Sequence, residues 1–131
     1  MTKLLPASFY QRSPELVAED LLGHRLIRRL QNFTLEGIVV ETEAYFGNSD
    51  PASRAYQGKK HYNQLMWEQP GKVFIYNVHK YWMLNVVAHE PRQVGAVLIR
   101  AIEPITGISF MQQQRNIERK EQLTNGPGKL T

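Results

Sequence analysis

The chain of 131 residues contains no cysteine, which removes disulfides, thiolate zinc sites and cysteine nucleophiles and fits a reducing compartment without requiring one. It has no apolar run near the ~20 residues that span a bilayer. The start Met1-Thr2-Lys3-Leu4-Leu5-Pro6 also lacks the long apolar stretch of a secretion signal. The expectation is a soluble protein of the cytoplasm with no membrane partner. His24, His61, His79 and His89 show no metal-ligand spacing, so no metal site is expected. Internal repeats and low-complexity tracts are absent as well.

Acidic residues are in the minority. Twelve Asp and Glu stand against sixteen Lys and Arg, a formal charge of +4, a mild bias toward polyanions such as nucleic acid that many ordinary basic proteins share. What is present is apolar material: 42% hydrophobic residues over a length that suits one domain, enough for a core. A single domain over residues 1–131 is expected.

Ser13-Pro14-Glu15 reads as a helix start, a hydroxyl positioned to cap and proline at the first helical position. Gly23 would stop that helix, and Leu16, Val17, Leu21 and Leu22 give it an apolar side. Arg25 to Leu30 and Leu35 to Tyr45 read as strands joined by a turn at Gln31-Asn32, the second containing the β-branched run Ile38-Val39-Val40. From Phe46 to Pro70 the chain is rich in Gly, Asn, Ser and Pro, long for a plain connection and therefore a candidate functional loop. Lys72 to Val78 and Tyr81 to Ala88 read as a hairpin with its tip at His79-Lys80, followed by a strand over Val94 to Ala101. Gly107 to Glu121 reads as a helix.

Three stretches carry possible chemistry. Glu41 and Glu43 lie two apart on a strand and so share a face. Beside Tyr45, a carboxylate facing a pocket suits a general base; facing water, the same pattern is an ordinary polar edge. By pattern alone the polar edge is favoured. Around the hairpin tip, Val73-Phe74-Ile75-Tyr76-Asn77-Val78-His79-Lys80-Tyr81-Trp82 interleaves aromatic and basic groups, as a base-stacking or duplex-wedging element needs. Core packing explains half of that pattern, since Phe74 and Tyr76 share one face. Gly126-Pro127-Gly128-Lys129 lacks P-loop spacing and reads as a turn, with a backbone contact to DNA as the functional option.

These stretches, with others in the same order, resemble the alkyladenine (3-methyladenine, or methylpurine) DNA glycosylase family. The resemblance runs from Phe9-Tyr10 and Leu21-Leu22-Gly23 through Ile38-Val39-Val40-Glu41-Thr42-Glu43-Ala44-Tyr45 and Asp50-Pro51-Ala52-Ser53. It continues in Leu84-Asn85-Val86-Val87, Val97-Leu98-Ile99-Arg100-Ala101-Ile102-Glu103-Pro104 and Asn125-Gly126-Pro127-Gly128-Lys129-Leu130. It implies an α+β single domain, a curved, mostly antiparallel sheet with flanking helices and a protruding β-hairpin. It also implies a monofunctional hydrolase without cofactor, acting as a monomer on double-stranded DNA that holds alkylated or deaminated purines, which it flips out of the stack.

By the same resemblance Glu43 is the general base and Arg100 holds backbone and water near it. Tyr45 and Tyr76 sandwich the flipped base, and Asn85 discriminates against the amino group of normal guanine. His79, Lys80, Tyr81 and Lys129 contact DNA. The sequence departs from the family in three ways. His79 stands where the wedge is often tyrosine. Arg54 stands where many relatives carry a histidine that donates into the base pocket, so it either faces the base or turns to a phosphate. Family members also continue for tens of residues after Gly-Pro-Gly-Lys-Leu, a part absent from this sequence. Two other readings stay open: a nucleic-acid-binding module of the same fold without turnover, and a sugar hydrolase built on Glu41 and Glu43.

Overall fold

In the computed structural model, residues 3–47 and 49–130 are described; Met1, Thr2, Asn48 and Thr131 lie outside the described residues. Two short helices, α1 (Ala7–Tyr10) and α2 (Pro14–Leu21), lead into β1 (Arg25–Arg29) and β2 (Thr34–Tyr45). A loop with a 3-10 helix at His61–Trp67 follows, then β3 (Val73–Val78), β4 (Tyr81–Val87), β5 (Ala96–Thr106) and α3 (Ile108–Arg115). The five strands form one curled, wholly antiparallel sheet in the order β1-β2-β5-β4-β3. The fold is the single α+β domain expected from the sequence.

β5 enters between two local hairpins. β1 and β2 are joined through a turn closed by Leu30 N–H donating to the Phe33 carbonyl at 2.8 Å, and β3 and β4 pair from Val73↔Val86 to Val78↔Tyr81. β5 then bonds to β2 along most of its length and to β4 over Ala96 to Leu98. Beyond Leu98 no described strand pairs with that second edge, which is where a proline tolerates its missing N–H, and Pro104 occupies it. The edge is partly closed at Ile102, whose N–H donates to Thr124 O (3.1 Å) while the Thr124 hydroxyl donates to Ile102 O (2.5 Å).

Each face of the sheet is covered. On one, α2 lays Val17, Ala18 and Leu21 against Val39, Ala88, Val97 and Ile99. On the other, the loop between β2 and β3 contributes Ala55 and Met66 to a second cluster with Phe74, Val87 and Ala96. Strict alternation would place Val39 and Thr42 on opposite faces. Yet Val39 packs in the α2 cluster and the Thr42 hydroxyl donates to Ala18 O of α2 at 2.8 Å. The register explains this, because Val40 is an extra residue between Val39↔Ile102 and Glu41↔Ala101, a β-bulge that resets the alternation. Glu41, Glu43 and Tyr45 consequently face away from α2.

Several local expectations are met differently. The Ser13 hydroxyl makes no capping bond; its carbonyl accepts from Val17 N–H instead, and Pro14 supplies the preorganised first turn. The helix expected over Gly107 to Glu121 stops at Arg115, because Asn116 adopts a left-handed backbone (φ 54°), a conformation that closes helices. The last strand begins two residues later than expected, at Ala96, and runs on to Thr106.

Gly95 sits where the start of α2, the end of β2 and the end of β4 converge. A Cβ there would lie 2.4 Å from Pro14 Cγ, 2.7 Å from Ala88 O and 3.0 Å from Tyr45 O, two of them backbone atoms with no room to yield. Gly95→Ala is expected to cost about 1–3 kcal/mol through overpacking. Urea unfolding measures it, and a change within ~0.5 kcal/mol, the range of ordinary surface substitutions, would contradict this account.

Candidate active site

Because β5 pairs with both β2 and β4, one residue of β5 aligns two distant segments. Leu98 is opposite Glu43 on one side and Asn85 on the other, and Asn85 is in turn opposite Phe74. Glu43, Leu98, Asn85 and Phe74 therefore form a row across the sheet face opposite α2. Tyr76 lies on the same face as Phe74, their ring centroids 5.5 Å apart. Asn85 is 1% exposed and its side-chain N–H donates to Met83 O at 3.3 Å.

The carboxylate of Glu43 is held at both oxygens. Arg100 Nη1 donates to Oε1 at 2.6 Å and the Tyr45 hydroxyl donates to Oε2. Arg100 Nε also stands 3.7 Å from Glu41 Oε2, so one guanidinium spans both carboxylates. Arg100 can do this because it is itself a bulged residue: Ala101 is opposite Glu41 and Ile99 opposite Thr42, leaving Arg100 outside the register. An extra residue in a strand re-aims its side chain. Each oxygen of Glu43 retains a further lone pair for a water. The same-face placement of Glu41 and Glu43 is as the sequence implied. Arg100 turns that face from a polar edge into an organised cluster.

The loop after β2 is fastened by polar side chains, of which Ser53 and Asn63 are buried. Asp50 accepts from the N–H of Phe46 and of Ala52, both at 3.0 Å. Ser53, 6% exposed, donates to Phe46 O (2.6 Å) and accepts from Ala55 N–H (3.0 Å). Asn63, fully buried, donates to Arg54 O and Gly58 O and accepts from Lys60 N–H. The result sets the Arg54 guanidinium 4.4 Å above the ring of Tyr76. Sequence reasoning passed over Ser53 and Asn63 as holders of this loop; a small polar residue before an alanine is a faint signal, and Asn63 offers none.

The remaining predicted residues stand apart from Glu43. His79 and Lys80 form an exposed two-residue tip, and His79 has a left-handed backbone (φ 57°). Tyr81 is 46% exposed beside that tip, with Lys80 Nζ 5.7 Å from its ring centroid. Gly128 packs against Tyr81 so closely that a Cβ would lie 3.0 Å from it, which places the Gly126–Lys129 turn beside the hairpin. Lys129 itself donates to Asn125 Oδ1 (2.8 Å) and lines a groove with Leu26, Leu35, Phe110 and Met111, away from the Glu43 cluster. Among the described residues no helix is long and apolar enough to cross a membrane, and no three His, Cys, Asp or Glu side chains converge as metal ligands.

Burial, then the hydrogen bond and charge of Glu43, raise the Tyr45 phenol well above its ordinary pKa of 10.0. The folded state thus keeps a proton that the unfolded chain releases. The resulting stabilisation is complete below pH 10.0 and is lost as pH climbs toward the folded value. Tyr10, also raised by burial, contributes in the same direction. In urea unfolding above pH 10, wild type is expected to lose stability more steeply than Tyr45→Phe, which retains Tyr10. Parallel slopes would remove the Tyr45–Glu43 bond as their cause.

Residues 8–131 match the family model for methylpurine-DNA glycosylase (MPG). Relatives that carry the name "Putative 3-methyladenine DNA glycosylase" include those of three organisms. That of Chlorobium phaeobacteroides is 43% identical over 130 residues, 98% of this chain and 66% of the relative. That of Bacillus subtilis is 41% identical over 128 residues, 97% of this chain and 65% of the relative. That of Aeropyrum pernix is 43% identical over 105 residues, 80% of this chain and 54% of the relative. The chain therefore spans less than two thirds of the length of these three relatives. The order of motifs along the sequence, the antiparallel sheet that gathers them and these matches lead to one conclusion: the chain belongs to the methylpurine-DNA glycosylase family.

Proposed function

We propose that the protein is a monofunctional DNA glycosylase that hydrolyses the N-glycosidic bond of alkylated or deaminated purines in double-stranded DNA. The observation that carries the reading is the Glu43 carboxylate, held by Arg100 and Tyr45 on the face that also bears Tyr76 and Asn85. A glycosidic bond inside a stacked duplex is out of reach, so the nucleotide must be extruded, at a cost of about a few kcal/mol that is least for damaged or mispaired bases.

In the reaction a water oxygen bonds to the anomeric carbon as the bond from that carbon to the purine nitrogen breaks. The bond's electron pair leaves with the purine. Glu43 accepts the proton of the water, and its charge stabilises the positive charge developing on the sugar. Arg100 and Tyr45 fix the direction of the carboxylate, which keeps the water aligned. Tyr76 offers a ring face for the base and Asn85 an amide near it. The products are a free purine and an abasic site, and no lysine enters the chemistry.

The hairpin tip supplies the wedge. A left-handed backbone at a residue other than glycine or asparagine costs of the order of 1 kcal/mol, and strain of this kind at an exposed tip is understandable if the imidazole of His79 fills the gap left by the flipped nucleotide. Lys80 and Tyr81 would share in opening the minor groove. A second reading rests on the exposed basic and aromatic hairpin end alone, His79, Lys80 and Tyr81: a module that binds DNA without turnover.

Two measurements separate these readings. On a duplex with one methylated adenine or hypoxanthine, abasic sites revealed by alkali are expected with wild type, and Glu43→Gln should lower their rate by about 10²–10⁴ while duplex binding persists. Binding without base release by either protein would favour the module, and equal release by both would remove Glu43 from its role. For the wedge, His79→Gly is expected to lower excision about tenfold through lost stacking without lowering the unfolding midpoint. Excision equal to wild type would exclude it.

A further inference from the structure

We propose that Arg54 makes the site selective for purine lesions that carry no positive charge, such as deaminated purines, over cationic N-alkylated purines. The inference rests on the glycosylase reading above and concerns the same site.

Recognition of a cationic base by an aromatic pocket relies on the electron-rich ring face. Here Tyr76 already carries one cation, the Arg54 guanidinium 4.4 Å from its ring centroid, so its electron density is engaged before a base arrives. The Arg54 side chain is exposed, but the backbone that carries it is held. Ala55 and Asn63 are fully buried on either side, and Asn63 donates to the Arg54 carbonyl at 2.6 Å and to Gly58 O at 3.1 Å. Ser53, the residue before Arg54, donates its hydroxyl to Phe46 O at 2.6 Å. The backbone that carries the arginine is therefore fixed from both sides.

The charge of Arg54 is also uncompensated. Among the described residues no carboxylate pairs with it: Glu43 and Glu41 are both taken by Arg100, at 2.6 and 3.7 Å, and Asp50 accepts two backbone N–H groups. Phe74, the other ring against Tyr76, is apolar and buried. A cationic purine brought to Tyr76 would meet an unneutralised, permanently charged neighbour, whereas a neutral purine meets N–H donors suited to its ring nitrogens and carbonyl.

The departure step reinforces the preference. A neutral purine that leaves with the bond's electron pair becomes anionic, and a nearby guanidinium stabilises that charge as it forms. A cationic purine leaves as a neutral molecule and gains nothing from it.

The test compares wild type, Arg54→Gln and Arg54→Lys on duplexes that differ only in one lesion, hypoxanthine or 7-methylguanine, under single-turnover conditions. Intrinsic lability of each lesion cancels when ratios are compared between proteins. Arg54→Gln is expected to lower the hypoxanthine-to-7-methylguanine rate ratio about tenfold, the size of a like-charge contact in a partly wet site. Arg54→Lys, which keeps the charge, should stay nearer wild type. Added salt should narrow the wild-type ratio but not that of Arg54→Gln, since phosphate contacts are common to both duplexes. An unchanged ratio in Arg54→Gln, or a lysine variant identical to the glutamine one, would overturn the proposal.

Binding to the same duplexes carrying a 2′-fluoro group that blocks hydrolysis reads the selectivity without turnover. If no protein releases a base but the binding ratio shifts as described, the glycosylase reading fails and the charge selectivity of Arg54 stands. If bases are released and neither ratio moves, the role of Arg54 fails alone. If no base is released and the binding ratio is unmoved, both fail.

Discussion

The backbone hydrogen bonds that β5 makes to two hairpins at once hold the molecule and its site together. Each hairpin is local, made of neighbouring segments that pair through short turns. Neither would bring Glu43 near Asn85. Leu98 is bonded into both ladders, and through it the two residues, more than forty positions apart, come into one row. The cost of closing such a long stretch of chain rises only slowly with its length, and burial of the β5 core residues Val97, Leu98 and Ile99 offsets it.

The bulges in the β2–β5 ladder give that row its chemistry. A regular ladder would leave Arg100 paired opposite one β2 residue and alternate Val39 away from Thr42. The paired irregularities instead keep both of these against α2 and free Arg100 to span Glu41 and Glu43. Bulges concentrate beside active sites for this reason: one inserted residue changes the aim of a side chain while the sheet on either side stays intact. Between Glu41 and Glu43 the division is unequal. Glu43 has a close guanidinium contact and the Tyr45 hydroxyl, while Glu41 is the more exposed and keeps only the longer approach of Arg100.

Around this rigid row stand two elements of a different kind. The β2–β3 loop lacks regular strands, yet Asp50, Ser53 and Asn63 satisfy its backbone groups from within, so it can present Arg54 over Tyr76. Buried polar side chains that find their partners, as Ser53 and Asn63 do, confer definite geometry on a segment that secondary structure leaves free. The hairpin tip is the opposite case. His79 and Lys80 are exposed and bonded to little, and a strained backbone at His79 is what shapes the tip.

The sequence by itself determined much of this protein. β-branched and aromatic runs set the strands, Gly23 and the Gln31-Asn32 turn set local breaks, and alternation put Glu41 with Glu43 on one face of their strand and Phe74 with Tyr76 on one face of theirs. These follow from periodicity and turn chemistry, which act between near neighbours. Resemblance to a family brought in Glu43, Tyr45, Tyr76, Asn85 and Arg100 as a set. The early end of α3 escaped, because a left-handed Asn116 interrupts an otherwise helical composition. Only the tertiary structure decided that Arg100 grips both glutamates, that Asn63 anchors the Arg54 segment, that Arg54 lies on Tyr76 and that Lys129 turns away from the Glu43 cluster. Each of these depends on register, bulges or loop closure between segments far apart in the chain, and the free energies that choose among such pairings belong to the packed whole rather than to any local window.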